Sequence, residues 1–270
     1  MNYTLPEIEL LKIKTLEQVD NKGIFEIEPL SPGYGVTLGN SLRRVLLSSL
    51  EGSAITSVKI EGATHQFATL PKVKEDIVEI ILNLKMLRFQ MASEEPVVLK
   101  MQVKGPKDVT AVDFADNANC KIVNEDAYIA SVAKGGTLKM EVTVAHGRGY
   151  VPVERRKEEK LPIGTISIDS IFTPVKKVHY EVENTRVGGM TNFDKLVMEI
   201  TTDGSIDPEK ALGKSAKILV EHFSLIENAC AVTEVKAAES APKKKAAKAE
   251  KKENPENPEK KVKKTTKAKK

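Results

Sequence analysis

The chain has 270 residues, of which 40% are hydrophobic, 30% charged and only 4% aromatic, so any core must consist mainly of aliphatic side chains. No apolar run approaches the roughly 20 residues that a membrane-spanning helix needs, and the N-terminus lacks a signal-peptide pattern, which predicts a cytoplasmic protein without membrane contact. The net charge of +4 is unevenly placed, because 14 of the 42 basic and 5 of the 38 acidic residues lie in 236–270. That segment carries +9, and the remainder of the chain carries −5.

The first elements in chain order are two strands and a helix. Residues 8–15 and 22–30 have the apolar spacing of strands. Gly33 and Gly35 then form a turn that leads into a helix over about 37–50.

The helix over 37–50 is the most informative stretch of the sequence. On a helical wheel one broad face is apolar and predicts a core or a seam between helices. Its members are Leu38, Leu42, Val45, Leu46 and Leu50. Asn40, Arg44 and Leu47 point the other way, and Arg43 borders the apolar face. An exposed Leu beside an Arg is typical of a contact patch, although a single exposed Leu is also common on surfaces without a function.

The glycines before this helix have a competing interpretation. Gly33, Gly35 and Gly39 follow a strand and open a helix, as in a dinucleotide-binding fingerprint. Their spacing departs from that fingerprint by one residue, and no acidic ribose ligand follows at the expected distance. A turn that leads into a helix explains them better.

The middle of the chain predicts a mainly β region around one helix. Residues 72–88 have apolar residues at helical spacing, with Glu75, Asp76 and Glu79 in the first turns, where acids favour the helix dipole. Strands are predicted at 54–60, 97–103, 138–144, 163–169, 176–183 and 195–202. The fold class expected from this order is α+β.

A long helix and a basic tail close the sequence. The helix begins with Asp207 as its cap and Pro208 at the first helical position, and it carries the apolar stripe Leu212, Leu219, Phe223 and Ile226. Residues 236–270 are rich in Lys and almost free of large apolar residues, which predicts a disordered segment. Such a segment is either an electrostatic arm for nucleic acid or a solubilising tail, and composition does not separate the two.

No catalytic or metal-binding motif is present in the sequence. Cys120 and Cys230 are isolated, and the histidines at 65, 146, 179 and 222 do not have the spacing of metal ligands. No phosphate-binding loop or nucleophile motif occurs either. We therefore expect no catalytic residue, cofactor or metal in this chain.

Several long blocks resemble bacterial DNA-directed RNA polymerase α subunits. The closest resemblance lies in PLSPGYGVTLGNSLRRVLLSSLEGSAITSVKIEG at 29–62, and further blocks follow in the same order as in that family. They are 65–87, 147–152, 161–187 and 194–212. The resemblance covers nearly all of 1–235.

The resemblance implies a two-subdomain architecture. A discontinuous subdomain, 1–52 and 178–235, would form a homodimer by packing the helices of two copies together. An inserted subdomain, 53–177, would help to hold the large subunits, and 236–270 would be the tail. The dimer contacts expected on this basis are Leu38, Leu42, Leu46, Leu219, Phe223 and Ile226.

The resemblance also implies the partners. One copy would contact the β subunit and the other β′, and the magnesium-binding acids of the polymerase would belong to another subunit. Arg44, the second arginine of the GN-x-LRR motif, is the position most associated with β binding, with Leu47 as its apolar neighbour. Lys85 and Val175 match further large-subunit contacts.

The sequence departs from the family pattern in one respect, and two other functions are alternatives to this interpretation. Family members commonly carry a C-terminal DNA-binding domain, whereas this sequence continues into the Lys-rich segment, for which we expect non-specific contact with nucleic acid. The first rival is a free-standing nucleic-acid-binding protein that acts through this tail. The second is a metabolic enzyme that binds a nucleotide at the turn over 33–39.

Overall fold

The structure is a computed structural model that describes residues 11–156, 162, 164–187 and 190–239; for 190 and 231–239 it describes only the backbone. By internal contacts the chain divides into two units, Met1–Leu225 and Ile226–Lys270. All the described strands and two of the three described α-helices lie in the first unit, and the described part of the second unit consists of the continuation of the third helix.

The described residues form three α-helices and fourteen strands. The helices are α1 (Tyr34–Ser48), α2 (Ile77–Lys85) and α3 (Pro208–Glu239). The first seven strands are β1 (Lys12–Val19), β2 (Lys22–Leu30), β3 (Glu51–Ile60), β4 (Phe89–Met91), β5 (Val97–Lys104), β6 (Lys107–Thr110) and β7 (Cys120–Ile122). The others are β8 (Tyr128–Val132), β9 (Thr137–Arg148), β10 (Tyr150–Val151), β11 (Thr165–Ser167), β12 (Ser170–Ile171), β13 (Val175–Val187) and β14 (Met190–Thr202). Two 3₁₀ turns lie at Ala111–Asp113 and Val153–Arg156. This composition confirms the α+β class.

Two four-stranded sheets organise the fold, and the described strand pairs are antiparallel. One sheet has the order β1-β2-β14-β13, and the other has the order β11-β3-β9-β5. Buried and exposed residues alternate along β5 and β9, as expected for strands with one face in a core and one in solvent.

Two separate hydrophobic clusters fill the interior of the first unit. The insert cluster contains buried residues between Ile55 and Ile168, from the sheet around β3 and β9 together with α2. The flanking cluster contains buried residues from Phe25–Leu50 and Val175–Leu212, from the sheet around β2 and β14 together with α1 and the start of α3. The flanking cluster thus draws on sequence from both sides of the insert cluster.

The helix predicted over 72–88 is shorter than its apolar pattern indicates. It begins at Ile77, because the Asp76 side chain accepts a hydrogen bond from the Glu79 N–H at 2.8 Å and caps the helix. Val73 instead forms a β-bridge with Val132. The prediction that Glu75 lies in the first helical turn is therefore wrong, since its carboxylate binds Tyr128 and Ser131 of β8.

The ends of other elements differ by a few residues from the predicted ends. The first strand runs over Lys12–Val19 rather than 8–15, and residues 8–10 of that prediction lie outside the described residues. Helix α1 begins at Tyr34, three residues before its predicted start. Helix α3 begins at Pro208 as predicted but continues to Glu239, into the segment predicted to be disordered, because Lys, Ala and Glu are strong helix formers. Residues 240–270 lie outside the described residues.

Within the described residues no helix is long and apolar enough to cross a membrane.

Candidate functional site

The N-terminus of α1 is capped by a residue far away in sequence. Gly33 precedes the helix with φ +85°, a conformation that favours glycine, and it brings no side-chain cap of its own. The buried carboxylate of Asp194 on β14 accepts hydrogen bonds from the N–H groups of Gly33 at 2.8 Å and Gly35 at 3.0 Å. A carboxylate therefore satisfies the amides that would otherwise bind an anion at this helix end.

The two further glycines of α1 allow it to lie close to the sheet. A Cβ atom on Gly35 would lie 2.7 Å from Val182 Cγ1, and one on Gly39 would lie 2.6 Å from the Tyr180 ring. These glycines thus serve helix-to-sheet packing, and Asp194 occupies the position that a nucleotide phosphate would need. The described geometry gives no support to a nucleotide site at this turn.

The inner face of α1 packs into the chain's own core. Leu42 and Leu46 are buried in the flanking cluster, and Leu38 is half-buried against it. The expectation that Leu42 and Leu46 face a second copy therefore needs correction, because the sheet of the same chain already covers their side chains. A helical wheel identifies an apolar face but not the surface that covers it.

The outer face of α1 presents cations beside an apolar side chain. Arg43 and Arg44 are exposed, and Leu47, one turn after Arg43, is 36% exposed. No acidic residue lies in α1, and no ion pair of either arginine occurs among the described residues. Two unpaired guanidinium groups next to an exposed leucine suit a partner with carboxylates and apolar side chains.

Lys85 lies at the end of α2, where an acidic residue fixes its ammonium group. Its Nζ is 3.3 Å from Asp169 Oδ2, and Asp169 Oδ1 accepts a hydrogen bond from the Val153 N–H at 2.9 Å. The hydrogen bond from Val153, with a further contribution from Lys85, outweighs partial burial and lowers the pKa of the Asp169 carboxyl. Lys85 is thus partly exposed and held in one place.

Val175 does not reach the surface. It is 4% exposed and belongs to the flanking cluster, so its side chain is not available for a contact with another subunit. Side chains alternate along a strand, and the neighbouring Lys176 is exposed. The resemblance to the family identified the position of Val175 in the sequence. It did not show that the Val175 side chain points into the core from β13.

The residues expected to form a dimer contact on α3 differ in exposure. Leu219 is half-buried against the flanking cluster. Phe223 is 62% exposed, and in the second unit Ile226 is 59% exposed. In the first unit the nearby Val220 and Leu225 are exposed as well, so this part of α3 carries several large apolar side chains in contact with solvent.

Sequence reasoning missed Asp194 and Asp169, the two carboxylates that position α1 and Lys85. Asp194 lies 161 residues after Gly33, and Asp169 lies 84 residues after Lys85. No local pattern connects residues so far apart, so only the pairing of the strands could have identified these roles.

Two kinds of site, a metal site and a ligand groove, depend on how the charged residues of the described part of the chain are arranged. Among them, no group of three or more His, Cys, Asp or Glu residues is arranged to hold a metal ion. A groove of about 630 Å³ on the outer face of β3, β9 and β5 is lined by charged residues, among which Lys100 pairs with Glu141 and Lys139 with Glu61, each at 3.0 Å. Exposed cross-strand ion pairs of this kind are typical of a solvated sheet face.

Comparison with known proteins identifies the family. The profile described as "RNA polymerase Rpb3/RpoA insert domain" matches residues 58–173. The chain is 53% identical to the DNA-directed RNA polymerase subunit alpha of Carboxydothermus hydrogenoformans over 82% of this chain and 71% of that protein. It is 52% identical to the same subunit of Symbiobacterium thermophilum and of Moorella thermoacetica, each over 81% of this chain and 70% of the relative. The chain belongs to the family of DNA-directed RNA polymerase α subunits.

Proposed function

We propose that the chain is the assembly platform of an RNA polymerase, a nucleotidyltransferase complex, in the cytoplasm. The chain forms a homodimer, binds the β subunit through one copy and β′ through the other, and supplies no catalytic residue, cofactor or metal. In this proposal 1–52 and 178–235 form the dimerisation subdomain, and 53–177 form the inserted subdomain that holds a large subunit. The separation of the two hydrophobic clusters is consistent with this division.

The observation that carries this proposal is the outer face of α1. The helix is fixed by Asp194 at its start and by Leu42 and Leu46 on its inner face, so Arg44 and Leu47 are presented on a rigid support. A preorganised Arg beside an apolar anchor loses little side-chain freedom on binding, which favours a stable protein contact. Lys85, held by Asp169, offers a second fixed cation.

The test of large-subunit binding is the native mass, by light scattering, of the chain co-expressed with the β subunit. We expect a particle of two α chains and one β subunit for the wild type. Arg44→Ala should lose or weaken the β subunit and keep the α dimer. Lys121→Ala, which removes an exposed cation on β7, is the control and should assemble like the wild type. If the wild-type chain does not bind the β subunit, the assembly role is overturned.

Dimerisation has a separate test on α3. Burial of exposed apolar side chains drives association, so Phe223→Ser should shift the chain alone from dimer to monomer in light scattering across a dilution series. Val112→Ser, at an exposed aliphatic residue of the inserted segment, is the control. If the Phe223 variant stays dimeric at the lowest concentration, α3 does not form the dimer contact.

A further inference from the structure

Two exposed apolar residues lie on a small sheet near the C-terminal end of α1. Tyr150 and Ile171 are directly paired across the two-stranded sheet of β10 and β12, and they are 56% and 48% exposed. The Thr173 hydroxyl lies 3.5 Å from the Leu47 carbonyl, which places the segment after β12 at the C-terminal end of α1. A Cβ atom on Gly149, just before β10, would lie 3.4 Å from the Ser48 carbonyl, so both strands of the small sheet approach this end of α1.

Close glycine contacts hold this small sheet in place. Phe172, which lies between Ile171 and Thr173 in the sequence, is buried. Its carbonyl oxygen lies 1.9 Å from the position that a Cβ atom on Gly52 would occupy. A Cβ atom on Gly147 would lie 2.6 Å from the Phe172 ring. Gly149, with φ +64°, accepts a hydrogen bond from the Phe172 N–H at 2.8 Å. Because Phe172 is anchored in this way, its neighbour Ile171 is held outward rather than free to fold into the core.

The outer face of α1 carries an excess of positive charge. Arg43 and Arg44 on α1 have no ion pair among the described residues. The nearby Glu51, which precedes Gly52 on β3, is already paired with Arg148. A protein segment with apolar side chains flanked by carboxylates would complement this surface, whereas a basic segment would be repelled.

We propose that Tyr150 and Ile171 extend the large-subunit contact of Arg44 and Leu47, and that together they receive an apolar segment of the β subunit flanked by acidic residues. This inference rests on the proposed assembly function and adds a contact from the inserted segment to the one on α1. Paired aromatic and aliphatic side chains on a rigid support are effective anchors, since they bury area at a small cost in conformational entropy.

The test compares the affinity of the purified dimer for the β subunit among surface variants by a titration with labelled β subunit. We expect the double variant Tyr150→Ser/Ile171→Ser to bind at least about tenfold more weakly than the wild type. Its dimer mass and urea unfolding midpoint should match the wild type, because both side chains are exposed. Val112→Ser is the matched control and should bind like the wild type.

A charge reversal tests the chemistry of the partner segment. Ile171→Glu should bind more weakly than Ile171→Lys, since an acidic segment repels the first and attracts the second. Equal affinities of these two variants would overturn the acidic character of the partner segment.

The proposed function and this inference fail in different ways. If Arg44→Ala weakens binding while Tyr150→Ser/Ile171→Ser binds like the wild type, this inference is overturned and the assembly role stands. If the wild-type dimer does not bind the β subunit at all, both are overturned.

Discussion

At the scale of single residues, Glu75 shows how the fold stabilises a buried charge. Its carboxylate accepts hydrogen bonds from the Tyr128 hydroxyl and, at 2.7 Å, from the Ser131 N–H. Burial by itself would raise the pKa of Glu75, but these hydrogen bonds outweigh it and lower the pKa below the ordinary value of 4.5. Burial and the hydrogen bond to Glu75 raise the pKa of Tyr128 to about 12. The carboxylate thus connects the segment before α2 to β8.

Glu75→Gln should lower the free energy of unfolding at pH 7 by about 1–3 kcal/mol, because the amide replaces only part of the acceptor capacity of the carboxylate. A carboxyl with a lowered pKa in the folded state stabilises the fold above its unfolded pKa, and this stabilisation is lost as pH falls through the folded pKa. The difference between wild type and variant in urea unfolding should therefore shrink below about pH 4.5.

Glu94→Gln is the control for this residue, since Glu94 is exposed. This variant should have the same free energy of unfolding as the wild type at pH 7 and below about pH 4.5. A Glu75→Gln difference that stays constant with pH would mean that the charge of Glu75 does not contribute.

At the scale of elements, two helical glycines face different surroundings. A Cβ atom on Gly39 of α1 would lie 2.6 Å from the Tyr180 ring, whereas nothing lies within 4 Å of a Cβ atom on Gly213 of α3. Glycine in a helix interior otherwise costs stability relative to alanine. The same substitution should therefore have opposite signs in the two helices.

We expect Gly39→Ala to lower the free energy of unfolding by about 1–3 kcal/mol, because α1 must move away from the sheet. Gly213→Ala should raise it by about 0.5–1 kcal/mol. Urea unfolding followed by circular dichroism measures both. If the two variants shift in the same direction, close packing of α1 on β13 is not the reason for Gly39.

At the scale of the whole molecule, one ion pair connects regions that belong to the two hydrophobic clusters. Arg88 lies between Leu87 and Phe89 of the insert cluster, and its Nε is 3.4 Å from Asp203 Oδ2, just after β14. The Asp203 side chain is almost fully buried, and its second oxygen accepts hydrogen bonds from Ser205. The pair therefore ties the end of β14 to the segment after α2.

A double-mutant cycle of Arg88→Met and Asp203→Asn should give a coupling energy of about 1–3 kcal/mol in urea unfolding, because the pair is shielded from solvent. Lys100→Met and Glu141→Gln, which remove an exposed pair, form the control cycle and should give less than about 1 kcal/mol. Additive effects at Arg88 and Asp203 would mean that the pair does not contribute to holding the two regions together.

The most basic segment of the sequence lies outside the described residues. Residues 240–270 contain 13 Lys and 4 Glu. If they form an electrostatic arm, their deletion should weaken binding of duplex DNA and flatten the dependence of affinity on salt. A variant with eight of these lysines changed to Gln separates charge from length. Unchanged affinity in both variants, together with lower solubility, would instead indicate a solubilising tail.

Sequence alone determined the α+β class, the family resemblance and the positions of the long elements. Local signals suffice for these features, because apolar periodicity, turn residues and caps such as Asp207-Pro208 act within a few residues. The two-residue strands β10 and β12 are too short to show a period, and they were not predicted. The helical wheel placed Arg44 and Leu47 on the outward face of the helix, and their contact role came from the family resemblance alone.

Only the tertiary structure decided what covers each apolar face and which distant groups meet. Leu42 and Val175 were placed at subunit contacts from the sequence, yet both are buried in the flanking cluster of the same chain. Asp194 reaches the start of α1 through the pairing of β14 with β2, and Thr173 lies beside the end of α1, although more than 120 residues separate each of them from its partner on the helix. Burial and long-range hydrogen bonding are properties of the assembled fold, so no local pattern specifies them.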